Sequence, residues 1–194
     1  MPGHKSLLPL ALLFYASVSA QELSLKESGF QLTVGMVATL LEKKDSVKLT
    51  RYISRLRGVY ILNRIGIYDT YAHYKTLGFT DTRYPNAPFY EGILVRPPVY
   101  ESLPVFDCEK WSKTGTYVDT TQTSHLLSEI ATRMNEVVPG SVPDSSIKKF
   151  YELENNSRRV VIVHGDNELI FYLSYLNDRW FLTMIDKVTG DCSS

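Results

Sequence analysis

Hydrophobic residues recur at helical spacing in two segments of the first third of the chain. Residues 28–44 begin with Ser-Gly, end in Glu-Lys-Lys, and predict a helix with one apolar face. Asp45 and Ser46 can cap a second, shorter helix, which Gly58 would end. The apolar positions are Phe30, Val34, Val37 and Leu41 in the first helix, and Leu49, Tyr52, Ile53 and Leu56 in the second.

The pattern changes between residues 59 and 77, where β-branched residues and tyrosines predominate. This composition predicts one long bent strand or two short strands, with Gly66 at the bend. One face would carry Val59, Ile61, Ile65 and Ile67, and the other would carry Tyr60, Leu62 and Tyr68.

Prolines and aromatic residues are interspersed between residues 80 and 104. Because proline lacks the backbone donor of a strand ladder, this segment predicts a long loop with one short strand at residues 92–95. Connections of this length are uncommon and often form binding loops or lids.

Thr123 and Ser124 open the clearest helical pattern of the chain, and Pro139-Gly140 ends it. Beyond this helix we expect a β-meander with strands at residues 146–153, 158–163, 169–176 and 180–185. Long apolar runs in the meander indicate strands buried on both faces, which the N-terminal helices would cover. The apolar stripe of the late helix is Leu126, Leu127, Ile130, Ala131, Met134, Val137 and Val138.

Residues 1–20 have the form of a secretory signal peptide. A mildly cationic start precedes an apolar run at residues 7–18, and Val18-Ser19-Ala20 supplies small residues where a signal peptidase cleaves. The run of 12 residues is shorter than the ~20 that cross a bilayer. We therefore expect an exported protein, periplasmic or secreted, with a single domain at residues 21–194 and no membrane span. An uncleaved anchor or a buried core helix is the alternative.

The total charge of the chain is balanced, with 21 Lys and Arg residues against 21 Asp and Glu residues. This balance argues against a nucleic-acid partner, because nucleic-acid binding needs a basic face. It equally disfavours a polybasic membrane-binding patch.

The chain contains two cysteines, Cys108 and Cys192. In an oxidising compartment such a pair predicts a disulfide, which would hold residues 189–194 against residues 105–111. Two unpaired thiols are the alternative. A catalytic Cys108 is disfavoured, because its acidic neighbours oppose formation of the thiolate. No Cys and His spacing fits a zinc site, and we expect neither a metal nor another cofactor.

The order of elements predicts an α+β fold in which N-terminal helices pack on a curved, mainly antiparallel sheet. This order resembles the cone of the NTF2-like (SnoaL-like, cystatin-like) superfamily. The stretch LEKKDSVKLTRYI at residues 41–53 is similar to that superfamily's helix-break-helix opening, and DRWFLTMI at residues 178–185 is similar to its closing strand. The start at Gln21 is similar to exported proteins of Bacteroidota. The superfamily contains both enzymes and binding domains that use a conical pocket, so the resemblance leaves both functions open.

The histidines offer two candidates for acid–base chemistry. Asp69 and His73 lie four residues apart on the predicted strand, so both side chains would point to one face and could line a cavity as a catalytic pair. A strand end that turns polar groups to water is the alternative. His164 and Asp166 could also pair, but the sequence HGDN that contains them is typical of a hairpin turn.

Aromatic side chains in and beside the proline-rich segment are the stronger functional indication. Flat rings on a stiff loop can stack on sugars or apolar ligands with little loss of entropy. Alternatively, they form a small satellite core over the sheet. The candidate ligand-binding residues are Tyr84, Phe89, Tyr90, Tyr100 and Trp111, with Phe106 beside them.

The sequence contains no motif of a catalytic triad, a metalloprotease or a phosphate-binding loop. We therefore expect an exported, non-catalytic domain that binds a small-molecule, glycan or protein ligand; a homodimer is left open. The alternative is an NTF2-like isomerase, dehydratase or hydrolase that uses Asp69 and His73 in the cone cavity.

Overall fold

The computed structural model describes residues 9–79, 96–121 and 123–192. Within these residues the chain is an α+β protein with four α-helices and one 3-10 turn. The predicted strand at residues 92–95 lies outside the described residues. The helical elements are α1 (Pro9–Glu42), α2 (Ser46–Leu49), the 3-10 turn (Thr50–Tyr52), α3 (Leu126–Val137) and α4 (Asp144–Asn155).

Seven strands within the same residues form one curved, unclosed sheet with the order β2-β1-β7-β6-β5-β4-β3. The β1–β7 and β3–β4 pairs are parallel, and the other four pairs are antiparallel, as expected for a mainly antiparallel sheet. The strands are β1 (Val59–Ile65), β2 (Tyr68–Tyr74), β3 (Val99–Tyr100), β4 (Gly115–Val118), β5 (Ser157–His164), β6 (Asn167–Leu176) and β7 (Arg179–Asp186).

Helix α1 is packed on the sheet by the apolar face that the sequence predicts. All four predicted positions of that face are fully buried, in a core with the inner residues of β5, β6 and β7. The helix begins at Pro9 rather than near residue 28, so it runs without a break through the predicted cleavage point. Signal cleavage itself stays a prediction. Within the described part of the chain, no helix combines the length and apolar character that a membrane crossing requires.

The second predicted helix is confirmed at its start and is shorter than expected at its end. Asp45 caps α2 by accepting a hydrogen bond of 3.0 Å from the backbone N–H of Lys48. The α-helix ends at Leu49 and continues as the 3-10 turn, so Leu56 lies outside the helical stripe. Its side chain is 81% exposed, which corrects the expectation that it packs with Leu49 and Ile53.

The central strands of the sheet are buried on both faces, but the N-terminal helices cover only one of these faces. Helices α3 and α4 cover the other face through a core that includes Leu62, Ile130, Phe150 and Tyr172. The predicted strand at residues 146–153 is therefore wrong, since these residues form most of α4. Ile147, Phe150 and Leu153 recur every three residues, which places them on one side of a helix and on alternating sides of a strand.

The β-branched segment after Gly58 forms two strands, β1 and β2, joined by the turn Gly66-Ile67. Val59 and Ile61 share one face, as predicted, and this face packs in the core of α1; Leu62, on the opposite face, packs in the core of α3 and α4. Ile65 and Ile67, which the pattern assigned to the same apolar face, are instead 66% and 70% exposed at the tip of the hairpin. The tip extends beyond the helices that cover the rest of the sheet.

The predicted disulfide is confirmed: Cys108 and Cys192 are bonded with a Cα–Cα distance of 5.6 Å. The bond ties the turn at residues 106–111 to the end of the chain that follows β7. Of the two histidine candidates, His164 ends β5 and is paired with Asn167 across a tight turn, so the hairpin interpretation is confirmed there.

Candidate functional site

A groove of about 480 Å³ lies between the tip of the β1–β2 hairpin and the C-terminal end of α3. One wall is formed by Ile67 and Tyr68 of the hairpin, and the opposite wall by Met134, Val137 and Val138. Four of these five side chains are more than half exposed. Exposed apolar side chains that face each other across a concave surface are typical of a ligand site, and this volume suits a small molecule.

The backbone turn after α3 holds the two valines in place. The side chain of Asn135 makes two hydrogen bonds to the backbone of Val142. Its Oδ1 accepts from the Val142 N–H at 2.7 Å, and its Nδ2 donates to the Val142 carbonyl oxygen at 2.6 Å. Between these points Pro139 and Gly140 reverse the chain, and Gly140 has a φ of +80°. The turn therefore directs Val137 and Val138 away from the core that the preceding residues of α3 form.

Charged side chains lie at one end of the groove. The Nε of Arg64 binds Asp69 Oδ1 at 2.7 Å, while Arg64 Nη1 donates to the backbone oxygen of Asp191. Arg133 is 3.7 Å from Asp69 and 4.0 Å from Glu129, and its side chain is 61% exposed. Arg64 thus neutralises Asp69 directly, and the looser contacts of Arg133 leave its guanidinium accessible to a ligand.

Most of this groove was not predicted from the sequence. Val137 and Val138 belong to the predicted apolar stripe of the late helix, and Ile67 belongs to the predicted apolar face of a strand. The one available signal was their position, because Pro139-Gly140 and Gly66 mark the points where each element turns away from the core. Apolar residues at such turns are candidates for exposure.

Asp69 and His73 lie on one face of β2, as predicted, but they line different cavities. Asp69 contributes to the groove at the hairpin tip, whereas His73 lines a second cavity with Arg57, Tyr60 and Phe150. The Nε2 of His73 is 2.6 Å from the backbone oxygen of Arg57, and its ring is stacked on Tyr60. The described structure therefore does not bring the two side chains into one site.

Of the five aromatic candidates, Tyr84, Phe89 and Tyr90 lie outside the described residues. The other two, Tyr100 and Trp111, lie in separate environments. Tyr100 is at the β3 edge, where its hydroxyl donates to Glu27 of α1. Trp111 packs with Phe106 against a small core of β5 and β6 residues, the arrangement of a satellite core. Neither residue lines the groove.

A buried carboxylate that the sequence patterns do not indicate joins α4 to the start of α3. Glu154 is 1% exposed. Its oxygens accept hydrogen bonds of 2.6 Å from the Leu127 N–H and 2.6 Å from the Ser128 hydroxyl, and they lie 3.8 Å from His125 Nδ1. The carboxylate satisfies donors that the helix N-terminus would otherwise leave without partners. Burial nevertheless raises the pKa of Glu154 from 4.5 to about 7.

We expect the Glu154→Gln variant to lose the pH dependence that this carboxylate gives to folding. Since the pKa is higher in the folded state than in the unfolded state, protonation stabilises the fold at low pH. That stability is lost as the pH rises through about 7, and it amounts to about 3 kcal/mol over the whole range. Urea unfolding at a series of pH values between about 4.5 and 8 should show this fall for the wild type relative to the variant. Parallel curves for the two proteins would contradict the assignment.

Comparison of the chain with protein-family models, curated proteins and solved structures finds no match. We therefore infer function from the geometry of the groove and of the charged groups around it.

Proposed function

We propose that the protein is a non-catalytic binding domain whose ligand occupies the groove between the β1–β2 hairpin and α3. The observation that carries this proposal is the exposure of Ile67, Tyr68, Val137 and Val138, between 57% and 70%, around one concavity. Exposure of large apolar groups opposes solubility, and their grouping gives a ligand an apolar surface to cover.

The chemistry of the groove favours a compact, mainly apolar ligand with one polar or anionic group. The apolar walls would contact its body, and the ring of Tyr68 offers a flat surface for stacking. Among the residues that the structure describes, the groove is lined by one cation, Arg133, and by two acids, Asp69 and Glu136. Asp69 is paired with Arg64, and Arg133 makes only long contacts, so its exposed guanidinium is the partner that we propose for the polar group. We propose no reaction for Asp69 and His73, since they line different cavities.

We extend this proposal with two expectations from the sequence, the export of the protein and its relationship to the NTF2-like superfamily. We propose that the domain acts after export, in the periplasm or outside the cell, which the Cys108–Cys192 bond supports because disulfides persist in oxidising compartments. We also propose an NTF2-like relationship, supported by the curved sheet and the N-terminal helix packed on it.

The proposal predicts that the groove binds the apolar fluorescent anion anilinonaphthalene sulfonate. We expect the double variant I67S/V138S to weaken binding about tenfold, because two β-branched side chains no longer contribute apolar area. The matched control is V99S/V105S, which replaces two exposed valines outside the groove. Fluorescence titration of folded protein, checked by circular dichroism, gives both affinities.

A second arm of the titration tests the polar partner. The Arg133→Gln variant should weaken binding of the sulfonate dye several-fold and leave binding of the uncharged dye phenylnaphthylamine nearly unchanged. The groove is not the site if the wild type binds neither dye, or if V99S/V105S weakens binding as much as I67S/V138S.

A further inference from the structure

Basic residues are concentrated in one short segment despite the balanced total charge. Residues 43–57 contain six Lys and Arg side chains and one acid, Asp45. All six basic residues are exposed, and Asp45 is paired with Lys48 at 3.0 Å. The balanced total charge argued against a polybasic membrane-binding patch, but it averages over the whole surface and does not exclude a local group of basic residues.

The fold adds a further cation to this segment and gives the cluster a concave shape. Arg179, at the start of β7, joins Arg51 and Arg55 around a cavity of about 570 Å³. Within the described part of the chain, no ion pair engages any of these three arginines. We refer to residues 43–57 together with Arg179 as the cationic surface.

Apolar side chains project from the same surface. Val47 is 77% exposed and Leu56 is 81% exposed, the largest exposure among the apolar side chains described as exposed. Both line the cavity with the three arginines. A single exposed leucine is common on protein surfaces. Here two exposed apolar side chains share one cavity with three arginines, and this combination fits a surface that is both apolar and negatively charged.

The loop that presents Leu56 is fixed by contacts with β2. Lys75 Nζ donates a hydrogen bond of 3.0 Å to the backbone oxygen of Leu56, and His73 Nε2 lies 2.6 Å from that of Arg57. Ser54 Oγ accepts from the N–H of Arg57 at 3.3 Å. These contacts hold the backbone so that Leu56 and the flanking arginines point outward together. His73 therefore has a positioning role at this surface.

We propose that the cationic surface docks the protein onto a bilayer that contains anionic phospholipids. Exposed lysines and arginines would lie at the level of the phosphates, and Leu56 and Val47 would enter the boundary between headgroups and acyl chains. Nucleic acid would match the charge, but it offers no environment for the two apolar side chains. The mode is peripheral: the surface lies on the membrane and does not cross it.

Vesicle sedimentation of the full chain tests this proposal. The vesicles are phosphatidylglycerol with phosphatidylcholine in roughly equal amounts, compared with phosphatidylcholine alone. We expect tighter binding to the anionic vesicles, weakened by salt. In the triple variant R51Q/R55Q/R179Q the preference should fall about a hundredfold, since each basic residue near the surface contributes about fivefold. L56S should weaken binding several-fold at unchanged charge.

The matched control is R96Q/K110Q/K148Q, which removes the same charge from exposed positions that line neither the cavity of the cationic surface nor the cavity beside Arg57. It should retain most of the preference for anionic vesicles. Circular dichroism and thermal unfolding establish that each variant is folded, and the apolar N-terminal segment is identical in all of them. The proposal is overturned if the protein binds both kinds of vesicle equally, or if the two triple variants lose binding equally. It is also overturned if duplex DNA competes fully with the vesicles and L56S does not change binding to that DNA.

Discussion

Replacement of both cysteines by serine, C108S/C192S, is expected to lower the free energy of unfolding by about 4 kcal/mol. The disulfide joins residues 84 positions apart, so it restricts the unfolded chain over a long loop, and the chain-entropy model assigns about 4.5 kcal/mol to a loop of this length. Urea unfolding of the oxidised wild type and the variant measures the difference. Reduced wild-type protein should match the variant.

The native contacts of the C-terminal segment should survive this substitution. Asp186 accepts hydrogen bonds from the backbone N–H groups of Val188 and Thr189, and it binds Arg159 at 2.7 Å. The N–H of Lys187 donates to the carbonyl oxygen of Leu62 at 3.0 Å. We therefore expect an unchanged circular dichroism spectrum with a lower unfolding midpoint. A loss below about 1 kcal/mol would show that the bond does little to restrict the unfolded chain.

The sequence predicted the layers of this fold where apolar residues recur regularly along an element. The apolar positions of α1 between Phe30 and Leu41 and the last three strands of the meander follow such regular patterns, and the structure has them at nearly the expected residues. The helix at residues 144–155 was missed because its apolar residues are few. A start signal is nevertheless present in the sequence, since Asp144 places a negative charge in the first turn.

The ends of the helices and strands were predicted less well than their central parts. Two of these ends, the tip of the β1–β2 hairpin and the C-terminal end of α3, form the groove. Periodicity assigns a residue to a face, but it does not say how far along an element that face stays covered. Ile67 and Val138 continue the apolar patterns of their elements, yet they extend beyond the packed core. Which element covers which depends on tertiary packing, so the groove could not be predicted from the spacing of residues.

Local charge and buried polar contacts also depend on information that composition does not contain. The balanced total charge gave no indication of the cationic surface. Six of its basic residues are visible in the sequence of residues 43–57, whereas Arg179 joins them only in the fold. The contact of Glu154 with the start of α3 joins residues 26 or 27 positions apart, through a helix that the pattern did not predict. Asp69 and His73 share a strand face, but they line different cavities. Asp69 lies beside residues of α3, and His73 lies beside Arg57 and Phe150.

The two proposed surfaces lie at opposite ends of β1. The cationic surface precedes Val59, and the groove adjoins the hairpin that follows Ile65. A strand of seven residues spans roughly 23 Å, so a protein docked through the cationic surface would hold the groove away from the bilayer. A ligand in the groove would then be bound from the aqueous side, and the two surfaces can be tested with independent variants.

Substitution of Gly58 by alanine is expected to destabilise the protein by about 3 to 4 kcal/mol, of which the positive φ contributes about 1 to 2 and displacement of neighbours the rest. Gly58 has a φ of +72°, and an added Cβ would lie 2.6 Å from His73 Nε2 and closer still to the carbonyl oxygen of Tyr74. Since Tyr74 is paired with Val59 in the β1–β2 ladder, its backbone cannot move without breaking that pairing.

The matched control is Gly66→Ala at the other end of β1. Gly66 also has a positive φ, +60°, but an added Cβ there has no neighbour within 4 Å. This variant should lose only about 1 to 2 kcal/mol, the conformational cost alone. Urea unfolding compares the two, and vesicle sedimentation adds a functional readout. Gly58→Ala should also weaken binding to anionic vesicles, because it displaces the His73 side chain that holds the Arg57 carbonyl. Equal stability losses in the two variants would show that the close approach of β2 to Gly58 does not constrain the loop.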